Sequence, residues 1–135
     1  RTGSAPQGLY WLSDEPFTPG RWVVVSARSA EAQWAQTQGF VGRNWPLLKQ
    51  IAGLPGDEIC RSGAEVSING KPVAMARERD SMGRALPVWQ GCVLLDEEQV
   101  FLLAPHPDSL DGRYFGVLQR SDLVGVARPL LTSDQ

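Results

Sequence analysis

The sequence predicts a mainly β domain: antiparallel strands coiled into a partial barrel, with one short helix. Three observations lead there. Short β-branched and apolar runs recur between clusters of Gly, Pro, Asn and Asp, which is how strands separated by turns read. Asn69-Gly70 sits between alternating apolar residues, the strongest short hairpin signal. Only residues 29–38 have the Ala and Gln content of a helix. A chain of 135 residues fits a single domain, 1–135, with a real core.

In order, Leu9 to Leu12 reads as a strand after a small-residue turn, and 13–20 as a loop with two prolines. Arg21 to Ala27 is continuous and β-branched, hence a buried strand. For the helix, Ser29 suits the N-cap and Gly39 the C′ stop, with Ala30, Trp34 and Thr37 on one face. Residues 40–46 form a loop. Leu47 to Ala52 is an apolar strand closed by the turn Leu54-Pro-Gly-Asp57. Glu58 to Arg61 and the 65–73 hairpin follow. Residues 73–86 are polar and charged and read as an exposed excursion. Val88 to Leu95 and Val100 to Ala104 are strands joined by an acidic turn. Residues 105–116 are a polar loop that returns to strand at Phe115, and Asp122 to Leu130 is the last strand.

A net charge of −2 with no basic cluster argues against nucleic-acid binding. No apolar run approaches the ~20 residues that cross a bilayer. One histidine and two cysteines cannot assemble the usual four-ligand zinc site, and Gly53-Leu-Pro-Gly is too short for a phosphate loop, so neither metal nor cofactor is expected. His106 lies between two prolines and reads as a turn rather than a triad base. The chain has only two lysines, and Lys49 alone has an apolar setting. It either snorkels to water or is buried, in which case its pKa falls and the neutral amine becomes a base. A serine is its natural partner: an unprotonated lysine takes a hydroxyl proton as histidine does. A shift of ~3 units corresponds to about 4 kcal/mol.

Three separated motifs carry a family resemblance. Thr2-Gly3-Ser4-Ala5-Pro6 resembles the serine box of type I signal peptidases (the S26 family). Lys49 followed by Gly53-Leu54-Pro55-Gly56-Asp57 resembles their lysine box, and Ser109-Leu-Asp111-Gly112-Arg113-Tyr-Phe-Gly116 their last box. The order also matches, and together the boxes frame nearly the whole chain. The likeness is closer to the TraF-type conjugative-transfer peptidases, because proline follows Ser4 by two places, Pro46-Leu-Leu precedes Lys49, and a cysteine follows Gly-Asp. Gly112 departs from the serine usual in general signal peptidases.

The resemblance implies a serine endopeptidase, with Ser4 as nucleophile and Lys49 as general base. It implies an oxyanion hole from Thr2 and Ser4, a Ser109 that orients the lysine, and support from an Asp111–Arg113 pair. Substrate contacts fall on Pro6, Gly8, Leu9, Tyr10 and Leu47. The strand after Ser4 and the strand leading into Lys49 are the edges on which a precursor would pair. The implied substrate is a secreted or pilin-like precursor polypeptide. The implied location is the bacterial inner membrane, with the domain facing the periplasm and an anchor upstream of Arg1. On that oxidising side of the membrane Cys60 and Cys92 are expected to form a disulfide. The rival readings are a general signal peptidase, a catalytically silent β domain that binds a secretion partner, and a self-cleaving repressor-type peptidase, the last disfavoured for want of a DNA-binding segment.

Overall fold

The computed structural model describes residues 8–40 and 47–132, with side chains over 12–40 and 47–128. In chain order the elements are β1 (Gly8–Ser13), β2 (Trp22–Val25), α1 (Ala30–Thr37), β3 (Leu47–Gly53), β4 (Glu58–Ser62), β5 (Glu65–Ile68) and β6 (Lys71–Met75). Then come β7 (Gly91–Leu94), β8 (Gln99–Leu103), α2 (Gly112–Phe115), β9 (Leu118–Gln119), a 3-10 turn at Arg120–Asp122, and β10 (Leu123–Thr132). A six-stranded sheet runs β1-β10-β2-β3-β8-β9 and a four-stranded sheet β6-β5-β4-β7, with antiparallel pairing throughout. The domain is therefore mainly β, as its short apolar runs foretell.

Alternation along β2 and β3 sends Val23, Val25, Leu47 and Ile51 to one face, where Val100, Leu102, Val126 and Ala32 of α1 complete the main core. On the other side of β8, Phe101 packs with Ile59, Val66 and Leu95 beneath the four-stranded sheet. Phe101 and Ile59 are fully buried. Each contributes roughly 1.5–3 kcal/mol by leaving water, and Phe101 ties the two sheets together.

Local signals hold where the chemistry is local. Asn69 and Gly70 both take positive φ (52° and 82°), as a type I′ hairpin requires. Ser29 Oγ accepts from the Ala32 N–H at 3.1 Å and caps α1, and Gly39 follows the helix at φ 80°. Cys60 and Cys92 face each other across β4 and β7 and are disulfide-bonded.

Four expectations are corrected. The buried face of α1 is Glu31, Ala32 and Ala35, whereas Ala30 and Thr37 are exposed. A second helix, α2, stands where the 105–116 segment reads as loop, so Phe115 ends a helix, and strand resumes only at Leu118. It forms because Asp111 caps it, accepting from the Arg113 N–H at 3.0 Å. The 73–86 excursion is not wholly exposed: Ala76 and Leu86 are buried against Tyr114. Arg84 reaches back to donate to the Gln38 carbonyl and lies over the Phe40 ring. Finally, the strand read from Val88 begins only at Gly91.

Candidate active site

Lys49 is 4% exposed at the centre of β3, so it does not snorkel. It shares a face with Leu47 and Ile51, both core residues beneath α1. Desolvation is the largest influence on it and pushes its pKa below the usual lysine value, with Arg113 pushing the same way and Glu31 and Asp111 opposing.

The loop after β8 is built around one ion pair. The Asp111 carboxylate, fully buried, accepts from Arg113 Nη2 at 2.7 Å, Arg113 Nε at 2.9 Å and the Ala104 N–H at 2.8 Å. Arg113 also donates to the carbonyls of Ala104, His106 and Pro107, stitching the loop shut. Arg61 on β4, itself buried, donates to the Arg113 carbonyl at 2.7 Å and links the second sheet to this loop. The pair expected from the last box is thus formed, with its charges matched inside the protein.

Ser109 is the exception in this box. It is buried, but its Oγ makes no hydrogen bond, so it does not hold Lys49 in this structure. His106 has a largely exposed side chain, and its Nδ1 accepts from the Asp108 N–H at 3.0 Å, the geometry of a rigid turn. Asp57 is likewise a turn residue: its carboxylate accepts from the Leu54 N–H and from Asn69.

Thr2, Ser4 and Pro6 lie outside the described residues. Gly8, Leu9 and Tyr10 belong to β1, an edge of the six-stranded sheet among the described residues. The strand leading into Lys49 is not an edge along its length, since β3 lies between β2 and β8. Its first half has no β8 partner among the described residues, and Leu48 there is itself buried. The Ile51 N–H donates to the Arg21 carbonyl and the Ile51 carbonyl accepts from the Gly20 N–H, so Ile51, Lys49 and Leu47 turn their backbone groups toward β2. Gln50 and Leu48 turn theirs the other way. Gln50 meets Leu103, but the ladder stops there, and continued register would bring Pro105, which has no N–H, opposite Leu48. Among the described residues the Leu48 N–H and carbonyl have no ladder partner. Leu47, expected as a substrate contact, is instead 5% exposed and packed in the core, with its backbone groups turned to β2.

The sequence profile described as signal peptidase, peptidase S26, matches residues 4–131. The chain belongs to the peptidase S26 family. Within it, the plasmid transfer protein TraF of Escherichia coli is 33% identical, the alignment covering 97% of this chain and 80% of that protein. The conjugal transfer protein TraF of Agrobacterium fabrum (strain C58) is 36% identical, over 98% and 81%. A solved structure of a signal peptidase I from Enterococcus faecalis V583 is 19% identical with a TM-score of 0.48, covering 84% of this chain and 98% of that one.

Reading the sequence left one residue of this S26 domain out. Glu31 on α1 is 2% exposed and interacts electrostatically with Lys49. An acid in the first turn of a helix is commonplace, favoured by the helix dipole, so nothing marks it in the sequence.

Proposed function

We propose that this chain is a serine endopeptidase in which Ser4 is the nucleophile and Lys49 the general base. The observation that carries the reading is the full burial of Lys49 on a core strand, with its pKa pushed down. Neutral Lys49 Nζ takes the Ser4 Oγ proton as Oγ attacks the scissile carbonyl. The Ser4 N–H and the Thr2 hydroxyl stabilise the oxyanion, each such donor contributing ~3 kcal/mol. The ammonium returns its proton to the leaving amine, and water activated by the same lysine releases the acyl group.

The substrate is a secreted or pilin-like precursor that pairs as a strand with β1 and with the first half of β3. TraF relatives support a role in conjugative transfer. The domain would act at the periplasmic face of the inner membrane.

Ser4→Ala and Lys49→Ala should each abolish cleavage of a precursor peptide with the circular dichroism spectrum unchanged, and His106→Ala should keep most of it. An active Lys49→Ala protein would sink the dyad. The rate should also fall as pH is lowered and Lys49 takes up a proton.

A further inference from the structure

We propose that Glu31 is a positioning residue for Lys49: its carboxyl, sealed beneath the first turn of α1, supplies the negative charge against which the lysine takes up a proton. The rate consequences rest on the dyad reading above; the coupling of the two groups does not.

Four observations support the assignment. Glu31 is 2% exposed, and neither carboxyl oxygen has a hydrogen-bond partner. A carboxyl retained for structure is normally bonded when buried, because an unbonded one is costly. The helix turn that carries it is fixed, since Ser29 caps it and Ala32 packs in the cluster that holds Leu47 and Ile51 on either side of Lys49. Glu31 is among the residues lining a cavity of about 380 Å³ beside α1, but both of its carboxyl oxygens are closed to solvent and turned away from that space.

The charged groups around Glu31 and Lys49 are few. Lys49 comes from β3, Asp111 and Arg113 from the loop and helix α2, and Asp122 from the 3-10 turn. The Asp111 charge is committed to Arg113 and the Ala104 N–H. Asp122 is only partly buried. Among the described residues Glu31 is thus a buried carboxyl placed to answer a charge on Lys49. Burial pushes its own pKa up to about 7, with Lys49 opposing and Asp111 and Asp122 adding. The two groups therefore titrate as a pair.

Consider the sign. A Glu31 carboxylate favours the lysine ammonium, so its removal lowers the Lys49 pKa. Glu31→Gln should then move the acid limb of kcat/KM to lower pH. The maximal rate should also fall about threefold, because a base one unit weaker takes the proton less well.

The chain has only two lysines, so isotope-labelled lysine gives two side-chain resonances, with Lys71 as the exposed reference. In the wild type, the Lys49 resonance should show an inflection at the carboxyl midpoint. In Glu31→Gln the Lys49 midpoint should fall by on the order of one pH unit. Glu31→Asp should restore most of it, and Lys49→Met should raise the Glu31 midpoint, as reciprocity demands. No inflection in the wild type, or equal Lys49 midpoints in wild type and a folded Glu31→Gln, overturns the proposal. Should the variants fail to fold, the wild-type inflection decides alone. A shifted Lys49 midpoint with an unmoved rate profile overturns the catalytic half, and the dyad reading with it.

Discussion

Lys49 and Glu31 place two ionisable side chains inside one core, and their linkage to folding can be measured. Glu31 titrates near 7 in the folded protein against an ordinary 4.5. Its pKa is raised, so the folded state holds a proton that the unfolded state has released, and stability falls as pH rises from about 4.5 to 7. Glu31→Gln removes this dependence. Relative to wild type it should gain stability across that window, by up to roughly 2 kcal/mol at pH 8, because the lowered Lys49 midpoint offsets part of the gain. Urea unfolding at pH 4.5 and pH 8 checks it, and an equal difference at both would contradict it. Gly112 makes a second case. A Cβ there would lie 2.6 Å from the Leu102 carbonyl oxygen and 2.5 Å from a Phe101 ring carbon. The departure from serine is therefore steric, and Gly112→Ser should cost about 1–3 kcal/mol in unfolding experiments.

At the scale of elements, β8 stops short of the first half of β3. The β8 ladder ends at Gln50–Leu103, and continued register puts Pro105 opposite the buried Leu48. Pro105→Val would restore an N–H opposite Leu48 and let β8 lengthen. Peptide kcat/KM should drop severalfold while thermal stability holds or rises, and unchanged kinetics would remove this edge from the substrate path. Across the second sheet, the Cys60–Cys92 bridge joins β4 to β7 over a sequence separation of 32. In the chain-entropy model its loss should cost roughly 3–4 kcal/mol. Comparing denaturant midpoints with and without reductant measures this, with intact mass confirming the two added hydrogens.

For the whole molecule, specificity follows from where the base sits. A desolvated lysine requires apolar packing around it, so the pockets before the scissile bond should be small and should admit Ala or Gly while excluding larger groups by steric conflict. A peptide series varied at those positions tests this: equal kcat/KM for Ala and Phe just before the cut would overturn the pocket reading. The strands, the Asn69-Gly70 hairpin and the cap of α1 were legible in the sequence because each depends on neighbours a few residues apart. The three boxes were legible because residue type and order survive without coordinates. Other features were not legible, because they are made by residues far apart in the chain. Ser29 capping sets where α1 starts, but only the packing of Ala32 on the β3 face buries Glu31 with Lys49. Asp111 as a cap is a local matter, whereas its satisfaction by Arg113, and the tie from Arg61 to that loop, needs two sheets brought together. The apolar run around Lys49, taken alone, favoured snorkelling over burial, since a strand's alternation does not say what covers its face. Tertiary packing of α1 decided it, because desolvation depends on every atom that excludes water and not on the two neighbours in sequence.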